Sequence, residues 1–193
     1  MITREKEKEK IQAFENLLAL RKILNRLKIK VILDGGTLLG AYRDNDFCED
    51  DHNDIDLTTL NSSERAIDLI EMAGEVGFSL YHYWRKDDMA EHSTAQISFI
   101  KDKMKIDIMF KELKGDKAWW TIFAGPNVTY KSVPAHFYSE RKQYLFKNKR
   151  FMIPKNTEDY LQLRYGDWKI PVHRKEFSCF KTDKVIRANY EEI

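Results

Sequence analysis

Two aspartates, Asp54 and Asp56, stand two residues apart in the stretch Asn53-Asp54-Ile55-Asp56-Leu57. On a strand, alternation sends both carboxylates to one face and sends Ile55 and Leu57 to the other, into a core. Carboxylates held side by side repel unless a cation lies between them. Magnesium is the natural candidate, because it takes oxygen ligands and is typically held by one or two carboxylates plus substrate phosphates; manganese is the alternative. Upstream, Asp34-Gly35-Gly36-Thr37 reads as a strand end turning through two glycines into a helix. A glycine turn lets backbone N–H groups approach a phosphate with no side chain intervening. Gly35, Gly36 and Thr37 are therefore candidate contacts to donor phosphates, through backbone N–H groups and one hydroxyl. An ordinary strand–helix turn is the plainer reading of the same residues. Arg43 could pair bidentately with a phosphate or bridge to the many acids nearby. Asp34 could orient the loop or help bind substrate. The combination suggests metal-assisted chemistry on a phosphate.

A third acid lies in Lys105-Ile106-Asp107-Ile108-Met109-Phe110, where Ile106, Ile108 and Phe110 share one strand face and Asp107 points the other way. The pattern by itself also fits an exposed acid on an edge strand. The five histidines are scattered, and His52, although beside the acidic pair, reads as a surface residue. Tyr81, Tyr83, Trp84, Trp119, Trp120 and Trp168 could be imagined as a cage for a quaternary ammonium; core packing is the better default for them.

These residues need elements to position them. Apolar residues near helical spacing, Ile11, Phe14, Leu17, Leu18, Leu24 and Leu27, predict an amphipathic helix over residues 3–28. A short strand at 30–33 should end at the glycine turn, and a helix should begin at Thr37, with Thr37 as its cap. After a strand at 54–59, Asn61 or Ser62 should cap a helix to residue 75, closed by Gly77. Strands are expected at 78–84, 95–100, 103–110 and 119–123, with turns at 114–116 and 125–127. A hairpin is expected around Asn148. A last helix, 157–165, offers Tyr160, Leu161 and Leu163 as an apolar stripe and is stopped by Gly166 and Pro171. The order of elements is an α/β or α+β pattern.

At 193 residues the chain fits one domain with a real core. Lys and Arg number 33 against 31 Asp and Glu, a formal charge of +2. That balance argues against nucleic acid as a partner. No apolar run approaches the ~18 residues of a membrane span, and the Lys/Glu-rich start lacks a signal-peptide core. Cys48 and Cys179 make neither a metal spacing nor a disulfide framework, so a reducing cytoplasm is the simplest expectation.

The run Gly36-Thr-Leu-Leu-Gly-Ala-Tyr-Arg43, followed by acids ending Asp54-Ile-Asp56-Leu57, resembles the LicD/fukutin-type transferases of the nucleotidyltransferase-fold superfamily. A second stretch supports the resemblance: Ile153-Pro-Lys-Asn-Thr-Glu-Asp-Tyr-Leu161, then Tyr165-Gly-Asp-Trp168 and Pro171. One departure is visible. Family members usually carry Trp-Asp-Asp-Asp-Ile-Asp, where this chain has Glu49-Asp-Asp-His-Asn-Asp-Ile-Asp56. His52-Asn53-Asp54-Ile-Asp56-Leu57 is also similar to small-molecule nucleotidyltransferases of the antibiotic-modifying kind.

The resemblance, over roughly residues 31–171, implies a nucleotidyltransferase-like mixed sheet flanked by helices. It implies a single domain over 1–193, with the catalytic core at about 30–125 and a small C-terminal helical extension at about 136–193. It also implies that Asp107 is the third acid of the site. Asp54 and Asp56 would then ligate metal, and Asp107 would ligate metal, accept the acceptor proton, or both. Three carboxylates suit in-line displacement at phosphorus, for which two metal ions stand about 3.5–4 Å apart. The implied reaction transfers a phosphoryl-alcohol unit, such as phosphocholine, from a CDP-linked donor to a hydroxyl of a glycan or small molecule. Nucleotidyl transfer to a small molecule or protein is the alternative. A catalytically inert binding module is a third, which the intact carboxylates argue against.

Overall fold

The computed structural model describes residues 4–49, 51–60, 63–86, 93–124, 127–172 and 186–188. Helix α1, Arg4–Arg26, is rich in Glu, Lys, Arg and Leu, all good helix formers. Glu5 and Glu7 in its first turn and Arg26 in its last complement the helix dipole. Ala13, Leu17, Leu20 and Leu24 recur at three- and four-residue steps and are buried. The helix closes through Lys28, which adopts φ +59°, while Ile29 N–H donates back to Leu24 O at 2.8 Å.

The central sheet holds five strands: β1 (Val31–Leu33), β2 (Asp54–Thr59), β3 (Ser79–Lys86), β4 (Ser93–Lys101) and β5 (Met104–Phe110). Their spatial order is β1-β2-β5-β4-β3. Only β2 and β5 pair in parallel; the other neighbours are antiparallel. A parallel pair needs a crossover, supplied here by helix α3 (Ala66–Glu75) and the β3–β4 strands. Gly77, at φ +87°, releases the chain from α3 into β3 as the sequence predicts. Alternation along the strands sorts the two faces. Ile55, Leu57, Ile97, Phe99, Ile106, Ile108 and Phe110 join one buried cluster with residues of α1 and α3.

Helix α2 (Gly35–Asp44) follows β1 and lies against β2. Beyond the central sheet, β6 (Glu112–Lys114), β7 (Lys117–Ala124), β8 (Asn127–Pro134) and β11 (Ile186–Ala188) form a second sheet in the order β11-β8-β7-β6. The sequence predicts a strand and turns in this stretch but not a separate sheet. Helix α4 (His136–Ser139) leads to a hairpin of β9 (Arg141–Phe146) and β10 (Lys149–Pro154). Its two-residue turn is Lys147-Asn148, both at positive φ, which suits the twist of the flanking strands. Phe146 carries the hairpin into the core, with ring centroids 5.4 Å from both Phe14 and Phe47. Helix α5 (Thr157–Tyr165) ends at Gly166, φ +62°. The chain is thus α+β, with nearly equal shares of helix and strand.

Three local expectations need correction. Asp34, not Thr37, caps α2, its Oδ1 accepting from Gly35 N–H at 2.9 Å. Gly166 ends α5 by itself, and Pro171, expected to help stop that helix, is exposed further along the chain. Tyr81 and Trp84 are exposed on the edge strand β3, whereas Trp120 and Trp168 are buried. The turn expected at 125–127 and the caps expected at Asn61 or Ser62 lie largely outside the described residues, as does Cys179.

Trp168 packs at 5.8 Å from the Tyr42 ring, and its carbonyl accepts from Arg43 Nη1 at 3.3 Å. Trp168→Ala should therefore cost about 3 kcal/mol in urea unfolding, as large core truncations do. A variant of normal stability that loses only donor affinity would move Trp168 from the core into the binding site.

Candidate active site

The parallel register of β2 and β5 sets Asp54 opposite Lys105 and Asp56 opposite Asp107. Because alternate residues share a face, all four side chains stand on the side of the sheet away from Ile55 and Ile106. Asp54, Asp56 and Asp107 offer ligand oxygens that all lie within 4.8 Å of one another. The three acids expected from the sequence are thus brought together. At Asp56, burial first, then the charges of Asp54 and Asp107, push the carboxyl well above the usual range. Lys105 offsets part of the repulsion, with Nζ 3.0 Å from Asp54 Oδ1 and 2.9 Å from Asp107 Oδ2. Burial disfavours the Lys105 ammonium, but Asp107 and Asp54 outweigh it and raise its pKa. Among the described residues, Asp107 Oδ1 is buried with no hydrogen-bond partner.

The glycine turn grips Asp56 directly. Gly36 N–H donates to Asp56 Oδ2 at 3.0 Å, Thr37 Oγ1 accepts from Asp56 N–H at 2.9 Å, and Asp34 N–H donates to Asp56 O at 3.1 Å. A Cβ on Gly35 would stand 2.1 Å from Asp56 Oδ2, and one on Gly36 would stand 1.9 Å from Asp51 Oδ2. Gly35 also has φ +52°, which L side chains rarely adopt. Both glycines are therefore required by the close approach of carboxylates. The N–H groups of Gly35 and Gly36, expected to face a phosphate, are engaged by Asp34 and Asp56.

Asp34 is the hinge of a buried polar network whose membership local sequence reasoning misses. Its Oδ2 accepts from Thr58 Oγ1 at 2.6 Å, Lys111 Nζ at 2.7 Å and the Tyr138 hydroxyl at 3.0 Å. Its Oδ1 accepts from the Tyr160 hydroxyl at 2.5 Å. Lys111 Nζ also donates to the Tyr138 hydroxyl and lies 4.2 Å from the Trp120 ring centroid. The Arg164 guanidinium lies 5.2 Å from the same ring. Burial alone would raise the Asp34 carboxyl, but Lys111 and Arg164 more than reverse that and hold it well below the usual carboxylate range. The one signal available from the sequence was local: aspartate is a preferred N-cap ahead of a helix.

Other candidates fall differently. Arg43 is engaged by Asp44, with Nη2 2.8 Å from Oδ2, and by Trp168 O. Of its two expected partners, the structure thus has the neighbouring acid. His52 is buried rather than on the surface, with Nε2 2.8 Å from Glu9 Oε2 and Nδ1 3.0 Å from Glu49 O. It ties the acidic loop to α1. Burial pushes the Cys48 thiol up to about 11, so it stays protonated near neutrality. Across the carboxylate face, cross-strand register continues the row from Asp56 through Asp107 and the buried Ser98 to His82. Trp84 lies beside His82 with ring centroids 5.4 Å apart, and Gln96 Nε2 donates to Ser98 Oγ at 3.0 Å.

A mixed sheet that gathers three carboxylates from a parallel strand pair, beside a glycine turn opening a helix, has the make-up of a nucleotidyltransferase-fold domain. Residues 28–156 match the family model described as LicD/FKTN/FKRP, nucleotidyltransferase domain, and the chain belongs to that family. Membership indicates a transferase of phosphocholine-type groups. The matched span stops short of the Tyr165–Trp168 ending. No curated protein matches the chain.

Two predictions follow from this geometry. Asp34→Asn would leave Lys111 and Arg164 buried without their carboxylate, and should cost roughly 3–5 kcal/mol in denaturant unfolding; a loss under about 1 kcal/mol would show that the network is dispensable. Asp56→Asn keeps the acceptor for Gly36 N–H and removes one of three crowded charges. It should raise the melting temperature of the metal-free protein while abolishing turnover, and a lowered melting temperature would contradict the repulsion.

Proposed function

We propose that this chain is a magnesium-dependent transferase that moves a phosphoryl-alcohol unit, such as phosphocholine, from a CDP-linked donor to a glycan hydroxyl, with CMP leaving. The observation that carries the reading is the set of three carboxylates within 4.8 Å on one face of the sheet, in a chain of this family. The donor set is all oxygen, which suits magnesium or manganese. The buried Asp107 Oδ1, without a hydrogen-bond partner among the described residues, is an atom whose burial a cation would compensate. Asp54, Asp56 and Asp107 are the residues that would hold the metal. A bound divalent ion would supply charge neutralisation on the diphosphate and a lowered pKa for the attacking hydroxyl.

The residues of the chain divide the remaining work. The N-terminus of α2 sits against β2, so the positive end of a ten-residue helix lies on the donor side and favours the diphosphate. With Gly35 and Gly36 N–H already committed, the field of the helix rather than those two hydrogen bonds is the main attraction. Asp107 lies between the other two acids and the row that runs out to Ser98 and His82. It is the acid best disposed to take the proton of an acceptor approaching over β4 and β3. There Gln96, His82 and Trp84 offer polar groups and aromatic rings of the kind that suit a sugar, with Ser98 buried beneath Gln96.

Thermal shifts with Mg²⁺ and CDP-choline, CDP-ribitol, CDP-glycerol, CTP or ATP test the donor. A ligand at 100 times its Kd stabilises by about 2.7 kcal/mol, so one CDP-alcohol should raise the melting temperature by several degrees, with magnesium required. Turnover should release CMP. Metal-dependent binding of CTP or ATP with pyrophosphate release, and no response to CDP-alcohols, would replace this reading with nucleotidyl transfer.

A further inference from the structure

Lys105 brings a cation of the chain's own to the carboxylate site. The register that pairs Asp56 with Asp107 sets Lys105 opposite Asp54, and alternation turns its side chain to the carboxylate face. Its backbone is fixed there by a hydrogen bond from Lys105 N–H to Asn53 O at 2.9 Å. The ammonium bridges two acids on different strands, at 3.0 Å from Asp54 Oδ1 and 2.9 Å from Asp107 Oδ2. The Lys105 side chain is 31% exposed, and those of Asp54 and Asp107 are 18% and 8% exposed. An ordinary surface ion pair, fully solvated and gripping one partner, would carry little weight; this one is largely withdrawn from water and holds two.

The charges decide what else the site can accept. Three carboxylates are balanced by one ammonium and one divalent ion. Two divalent ions together with the ammonium would leave a surplus of two positive charges in a partly buried site, and like charges a few ångströms apart repel by several kcal/mol at intermediate dielectric. Lys105 also takes up one oxygen each of Asp54 and Asp107 while leaving Asp107 Oδ1 uncommitted.

We propose that Lys105 fills one of the two cation positions of the carboxylate site, so that the protein without substrate holds a single divalent ion. The ammonium is then a resident positive charge beside the reacting phosphate, supplied by the chain instead of by a second metal. This inference rests on the assignment of Asp54, Asp56 and Asp107 as metal ligands, and it alters the expected stoichiometry of two metals.

Counting Mn²⁺ ions bound to the full chain, by calorimetry and by loss of the free-ion electron paramagnetic resonance signal, tests it without any turnover. The wild type should bind one ion. Lys105→Arg keeps a cation and should also bind one. Lys105→Met removes it and should bind two, the first about tenfold more tightly than in the wild type. Lys105→Gln repeats the neutral substitution with a polar side chain, in case Met disturbs the strand. Two ions in wild type and neutral variants alike would overturn the proposal while leaving the ligand assignment intact, and so would one ion in all of them. No binding in any variant would overturn the ligand assignment itself, and the proposal with it.

Discussion

The parallel pairing of β2 with β5 is the constraint from which the rest of the site follows. It puts Asp56 directly across from Asp107, with Asp54 one alternation away on the same face. Three carboxylates so placed cannot separate without breaking the ladder, because their Cα positions are set by backbone hydrogen bonds. The strands stay paired because their opposite face is fully apolar, with Ile55, Ile106 and Ile108 all at 0% exposure. Burial of that face outweighs a repulsion that side-chain rotation alone cannot relieve. The surroundings of the site can be understood as responses to this forced proximity.

Those responses come from both sides. Lys105 opposes the repulsion with a charge from the same strand as Asp107. The glycine turn opposes it with backbone dipoles, through Gly36 N–H on Asp56 Oδ2. The turn needs its own support, and Asp34 provides it by capping α2 and entering the network of Lys111, Tyr138 and Tyr160. Here the electrostatic sense is reversed: one acid lies among cations and hydroxyls, and its ionised form is favoured. Since Tyr138 belongs to α4 and Tyr160 to α5, the C-terminal elements brace the glycine turn from behind. The sequence pattern around Tyr160 thus gains a physical role as part of the scaffold that holds Asp56.

What the sequence discloses is what local periodicity encodes. Asp54 and Asp56 at i and i+2, Asp107 opposite three apolar neighbours, and the glycines ending β1 and α3 all follow from spacing within a few residues. The contacts that are illegible locally are those set by distant pairing. Asp34 meets Lys111, Tyr138 and Tyr160 across 77, 104 and 126 residues of chain. Nothing in the run 34–37 marks Asp34 rather than Thr37 as the cap, since both residue types serve; the outcome depends on Thr37 being drawn to Asp56 N–H. Likewise, Trp84 and Trp120 look alike as residues on strands. Their opposite fates depend on β3 being an edge strand and on β7 facing the Lys111–Arg164 pair. His52 reads as a surface residue until α1 brings Glu9 to it.

The same geometry explains why the glycines belong to the carboxylate site rather than to a free phosphate loop. Gly36 N–H fixes one oxygen of Asp56, and the missing Cβ atoms let Asp56 and Asp51 come closer than any side chain would permit. Asp56 is therefore held by its backbone N–H, its backbone carbonyl and its carboxylate at once. A carboxylate gripped in this way cannot swing toward solvent when its neighbours ionise, so the repulsion persists in the folded state instead of relaxing. A site of this kind gains more from binding a cation than a flexible one would, because the ligands are already assembled and little conformational freedom is lost on binding. The local electrostatic strain and the readiness to bind a cation are consequences of the same backbone contacts.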